Sequence, residues 1–103
     1  MDKKDTFQKI KELGLVAVIR GPSEELTLKA VDALIAGGVL GIEVTFSTPN
    51  APKVVEQVAS KYADEITLGM GTLTSVDQVQ MAKDSGAKFV VSPMFDVDLT
   101  EAF

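Results

Sequence analysis

The sequence predicts an α/β fold built from four βα units around a parallel sheet. Apolar, strand-sized runs begin near residues 15, 40, 66 and 88. The stretches between them place apolar residues at helical spacing, and glycines close three of the helical stretches, at Gly14, Gly37-Gly38 and Gly86. A repeat of about 22 to 26 residues holds one strand plus one helix, and right-handed crossovers then make neighbouring strands parallel. Two architectures take four such units: an open, doubly wound, flavodoxin-like sheet, or part of an eight-unit (β/α)8 barrel, which needs about 250 residues.

Each element has its own local reason. From Thr6 to Leu13, Phe7, Ile10 and Leu13 share one helical face, and Gly14 ends that helix. Residues 1–14 are therefore read as an amino-terminal helix over one end of the core. Leu15-Val16-Ala17-Val18-Ile19 is a continuous apolar run, the pattern of a strand buried on both sides, and Arg20 ends it. Ser23 followed by Glu24 and Glu25 suits a helix start, with Leu28, Val31, Leu34 and Ile35 as the buried stripe. In Gly41-Ile42-Glu43-Val44-Thr45-Phe46-Ser47 alternation puts Ile42, Val44 and Phe46 on one face and Gly41, Glu43, Thr45 and Ser47 on the other. Asn50 is placed to cap a third helix with Pro52 in its first turn and Val54, Val55, Val58 and Tyr62 as its stripe. Ile66 to Gly71 forms the next strand, and Thr74 with Asp77 resembles a capping box for a helix bearing Val76, Val79 and Ala82. Lys88 to Pro93 forms the fourth strand, and Asp98 to Glu101 begins a further helix.

The chain of 103 residues is 46% hydrophobic, ample for one core, and carries a net charge of −5 with no lysine-rich run. Nucleic acid is an unlikely partner for such a surface. No apolar stretch approaches the roughly 20 residues that span a bilayer, and Met1-Asp2-Lys3-Lys4-Asp5 leads into no signal-peptide core, so a cytoplasmic protein without membrane attachment is expected. With neither cysteine nor histidine, thiolate nucleophiles, imidazole bases and the usual zinc ligands are removed together. Carboxylate, hydroxyl, amine and guanidinium groups remain.

Candidate groups gather at one edge. Arg20 follows the first strand, Glu43 and Thr45 lie in the second, Thr72 follows the third, and Ser92-Pro93 ends the fourth. The carboxyl ends of parallel strands are where such folds bind ligands. A carboxylate on a strand covered on both sides needs a partner or a task. Arg20 suits a carboxylate or phosphate, or is a surface charge, and Thr72 suits a substrate carboxylate, or caps a helix. Gly69-Met70-Gly71-Thr72 lacks the register of a dinucleotide fingerprint, and no Gly-Lys-Ser/Thr phosphate loop is present.

The runs Leu15 to Arg20, Ala36-Gly37-Gly38-Val39 with Ile42-Glu43-Val44-Thr45, Gly69-Met70-Gly71-Thr72 and Gly86 to Pro93 resemble the 2-keto-3-deoxy-6-phosphogluconate (KDPG) aldolase / 4-hydroxy-2-oxoglutarate (KHG) aldolase family. The resemblance covers the chain from about Phe7 onward and matches the amino-terminal half of the family's TIM barrel. It implies that residues 15–103 form a (β/α)4 half-barrel, incomplete relative to the family. It further implies a class I aldolase that cleaves the phosphorylated keto acid to pyruvate and glyceraldehyde 3-phosphate through a lysine Schiff base, with no metal or other cofactor. Within it Glu43 matches the general acid/base, Thr72 and Pro93 the contacts to the pyruvate part, and Arg20 a substrate-binding arginine. Some members carry an arginine four residues after the catalytic glutamate, where this chain has Ser47.

The family's Schiff-base lysine lies on the sixth strand, beyond this match, as do its phosphate-binding loops. Of the lysines present, Lys88 alone adjoins a strand, and it stands at the amino end, opposite the active edge. The chain alone is therefore expected to lack turnover. A non-catalytic half-barrel acting as a binding or assembly module is the reading from another class, and another phosphate-handling barrel enzyme is a third. Family members are homo-oligomers, typically trimers. Four strands of an eight-stranded barrel would leave two free edges and expose Val16, Val18 and Met70 on the barrel side, so pairing with another copy or a complementary half-barrel, or a shift of helices onto both faces, is expected.

Overall fold

The computed structural model describes residues 2–103; Met1, assigned above to the amino-terminal helix, lies outside the described residues. Asp2 opens the first helix by accepting the Asp5 N–H at 2.8 Å, and Gly14, at φ +67°, closes it. That helix is α1 (Lys3–Leu13), and it leads into β1 (Ala17–Ile19), α2 (Glu24–Ala36) and β2 (Gly41–Thr45). Next come α3 (Ala51–Tyr62), a 3₁₀ turn at Ala63–Glu65, β3 (Thr67–Gly71), α4 (Val76–Ser85), β4 (Phe89–Val90) and α5 (Val97–Ala102). Ser23, Ser75 and Asp96 cap α2, α4 and α5 through their side-chain oxygens. No helix of the described residues is long and apolar enough to cross a membrane.

The strands form one parallel sheet in the order β1-β2-β3-β4. A flavodoxin-like sheet needs a reversal of strand order, and none occurs here. With right-handed crossovers, an unbroken order puts every connecting helix on the same face, and α2 packs on α3, α3 on α4 and α4 on α5. This is half of a (β/α)8 barrel.

Register then assigns the faces. Ala17, Ile42, Leu68 lie in one row and Ile19, Val44, Met70, Val90 in the next. Ile42, Val44 and Met70 are wholly buried with Val31, Val54, Val55, Val58 and Val79 of the helices. The other face, the inner face of the barrel, carries Val18, Glu43, Gly69 and Phe89 in a single row. At its amino end α1 leans against the sheet: Leu13 Cδ1 lies 3.2 Å from where a Cβ on Gly41 would stand. Helices thus reach both faces, but only that end of the inner one. α2 and α3 are latched where Asp32 accepts hydrogen bonds from Tyr62 Oη and, at 3.1 Å, from Lys61 Nζ. Those two donors hold the Asp32 carboxyl below its ordinary value, with the Tyr62 bond as the larger cause.

Several local expectations are corrected. Met70 faces the helices because its row contains Val44, whereas Val18 stands on the inner face at 57% exposure. β1 is three residues long and not buried on both sides, since it pairs on one edge only and its inner face meets no opposite wall. Phe46 falls in the turn after β2, and β4 ends at Val90, though Val91 N–H still bonds Met70 O. The α4 cap sits at Ser75, one residue past Thr74, and Gln78 rather than Asp77 reaches back to the Thr74 N–H at 2.7 Å. Val76, at the helix start, is exposed. Asn50 adopts a left-handed conformation at φ 53° and bonds Glu24 instead of capping α3. Phe7 is exposed, while Thr6 is the buried residue of α1.

The face assignment predicts opposite responses in one row pair. Met70→Ala should lower stability by about 2–5 kcal/mol, whereas Val18→Ser should change it by about 0.5 kcal/mol or less; urea unfolding of both variants checks this.

Candidate active site

Glu43 sits in the middle of β2 and points to the inner face, because alternation sends Ile42 and Val44 to the helices. It is 7% exposed. Its neighbours on β3 are glycines, and a Cβ placed on Gly71 would overlap its Oε2 atom and carboxyl carbon. The carboxylate therefore lies flat on the β3 backbone, out of water. Burial pushes the Glu43 carboxyl up from its ordinary value, and the positive charge of Arg20 opposes that rise. Arg20 itself is exposed at the carboxyl end of β1. The loop it enters is pinned to the next one, where Gly21 N–H donates to the buried Thr48 Oγ1 at 3.1 Å.

Thr72 immediately follows Gly71. Its φ is +61°, a strained conformation for a β-branched residue, and such strain concentrates at functional sites. It does not cap α4; Ser75 does. The structure holds Thr72 in register with the fourth strand, since Leu73 N–H donates to Val91 O at 3.2 Å. Pro93 stands exposed two residues beyond Val91. All four sequence-selected residues thus belong to the carboxyl-terminal edge or its inner face; Arg20 acts on Glu43 through its charge, and Thr72 adjoins the glycine beneath the carboxylate. Thr45, buried on the same face, shares a 2.9 Å hydroxyl contact with Ser47.

Sequence reasoning passed over Gly69, Gly71 and Phe89. Two glycines on the same face of one strand, beside a carboxylate-bearing strand, were the available signal. Lys88 precedes β4 at the amino end, and the described residues hold no cluster of acidic groups suited to a metal ion. A groove of about 620 Å³ runs along the free edge of β4, lined by Phe7, Ile10, Phe89, Leu99 and Phe103. It excludes Glu43, Arg20, Thr72 and Pro93.

A family model for KDPG and KHG aldolases matches residues 7–103. The chain belongs to this family. It is 36% identical over 90 residues to the 2-dehydro-3-deoxy-phosphogluconate aldolase of Treponema pallidum, covering 87% of this chain and 42% of that protein. The Haemophilus influenzae enzyme of the same name is 33% identical, over 84% of this chain and 41% of its own length. The crystal structure of the Legionella pneumophila KDPG aldolase, with pyruvate captured as a covalent carbinolamine, superposes with a TM-score of 0.68 at 34% identity, over 84% of this chain and 41% of that one. The chain spans about two-fifths of the length of these aldolases.

The raised Glu43 carboxyl predicts a pH effect in this aldolase segment. The folded state holds the proton more tightly than the unfolded state, so the associated stability is fully present below the ordinary Glu value of 4.5. It is lost as pH rises from there through the raised folded value. Glu43→Gln should remove this loss, and its stability relative to wild type should grow across that window and then level off, as measured by urea unfolding at a series of pH values.

Proposed function

We propose that this segment supplies the proton-transfer face of a class I aldolase acting on 2-keto-3-deoxy-6-phosphogluconate, with Glu43 as the general acid/base. The observation that carries the reading is the buried carboxyl of Glu43, raised by desolvation and lying beside Thr72 at the edge where parallel α/β sheets bind ligands. A carboxyl raised toward neutrality accepts and returns a proton more readily than an ordinary glutamate. In the cleavage direction it takes the hydroxyl proton as the carbon–carbon bond breaks. The bond's electrons pass into an iminium formed from substrate and a lysine, leaving a pyruvate enamine and an aldehyde, glyceraldehyde 3-phosphate. Returning the proton to the enamine carbon lets the iminium hydrolyse to pyruvate and the free amine.

Thr72 and Pro93 are assigned to the pyruvate part of the substrate and Arg20 to its anionic groups, as the family motifs suggest. The amine is assigned to the remainder of the barrel, because Lys88 lies at the amino end of β4 and no other lysine adjoins a strand. The exposed Val18, Val91 and Phe95 favour a segment that works only inside an assembled barrel, whether with a complementary half or with further copies.

Borohydride reduction in the presence of pyruvate tests the division of labour. The chain alone should gain no pyruvate adduct by mass, whereas coexpression with the remaining portion of the Treponema pallidum relative should restore both adduct and cleavage. Glu43→Gln in that assembled enzyme should lower turnover by about 10²–10⁴-fold with a smaller effect on substrate affinity. An adduct on the isolated chain would overturn the assignment of the amine, and unchanged turnover would remove Glu43 from the chemistry.

A further inference from the structure

Gly69 and Gly71 face inward from β3, and neither needs to be glycine for its backbone. The left-handed glycines of the described residues are Gly14, Gly38 and Gly86, so alanine at 69 or 71 would meet no conformational penalty. What the two glycines give is room. A Cβ at Gly69 would overlap the Phe89 ring, while the three heavy atoms nearest a Cβ at Gly71 all belong to Glu43: Oε2, the carboxyl carbon and, at 3.0 Å, Cγ. Glycine inside a strand costs stability and marks a close approach by another group; here the approaching groups are a ring and a carboxylate.

Register shows why the carboxylate goes where it does. Glu43 pairs directly with Gly69, which pairs with Phe89, so the place beside Glu43 in its own row is filled by the ring. The carboxylate instead lies over Gly71, the partner of Thr45. That position is two residues, or about 6–7 Å, nearer the carboxyl edge of the sheet, next to Thr72.

We propose that Gly71 is a positioning residue: it forms the notch that holds the Glu43 carboxylate forward and flat, while Phe89, seated on Gly69, closes the alternative place. The consequence for the reaction rests on the reading of Glu43 as the proton-transfer group; the placement does not. A carboxylate lying on backbone is kept dry and fixed, and a displacement of about 1 Å is enough to impair proton transfer severely. Filling the notch should lift the carboxylate off the sheet into water, because it is the free end of a flexible side chain and yields before the strand does.

The test combines carboxyl ¹³C titration of Glu43 with a double-mutant cycle on the full chain. In Gly71→Ala the Glu43 carboxyl should titrate back toward the ordinary glutamate range. The effect of the same change on the unfolding equilibrium constant should differ by about fivefold or more between the wild-type and Glu43→Ala backgrounds, and in the latter it should stay below about twofold. Should Gly71→Ala alone fail to fold, the double variant must fold. An unshifted titration, an equal effect in both backgrounds, or a double variant that does not fold would each overturn the proposal. Full turnover in the assembled Glu43→Gln enzyme, with the cycle as expected, would instead retire the catalytic reading and leave the notch standing.

Discussion

The contact between the Glu43 carboxylate and the bare backbone of Gly71 is the constraint on which the inner face depends. A charged group on a covered strand is costly unless it is neutralised, paired or given a place. This one is given a place and only partial compensation from Arg20, so burial dominates and its carboxyl is raised. The glycines that make the place leave Thr67 as the one inward side chain of β3, so that strand depends on its other face. Leu68 and Met70 supply that anchorage against the helices.

The sheet therefore divides its labour by alternation. Its outer face, with Ile42, Val44 and Met70 wholly buried under α2, α3 and α4, holds the units together. Its inner face carries small residues, hydroxyls and one carboxylate, and exposed apolar groups remain at both edges, Val18 in β1 and Val91 just past β4. A closed barrel packs this interior in layers. In the present chain α1 shelters only the amino end, and the buried Thr67 Oγ1 beneath it has no hydrogen-bond partner. The end that no helix shelters is the one that bears Arg20, Thr72 and Pro93 around the buried Glu43.

Much of this was legible in the residues. β2 alternates cleanly, so the faces of Ile42, Glu43 and Val44 could be read directly, and the spacing of the units gave the parallel sheet. β3 offers no such signal: Gly69-Met70-Gly71 has one side chain in three positions, and only register with Val44 puts Met70 on the outer face. The length of β1 and β4 was beyond the sequence too, because an apolar run reports what can be buried and not whether a neighbouring strand is there to bury it. Thr72 shows a further limit. Its positive φ is imposed by the turn from β3 toward α4 and by the Leu73–Val91 bond, whereas a threonine's own preference is for extended backbone.

The most direct test of the half-barrel is the accessibility of its two faces. The chain contains no cysteine, so single thiols introduced by Val18→Cys and Val44→Cys report one face each. On the dilute chain alone, Val18→Cys should react with a thiol reagent as an exposed cysteine does. Val44→Cys, under the helix layer, should react slower by about 10³-fold or more, the factor set by the rarity of unfolding. Comparable protection of both positions would mean that a second layer covers the inner face, and it would contradict the half-barrel account.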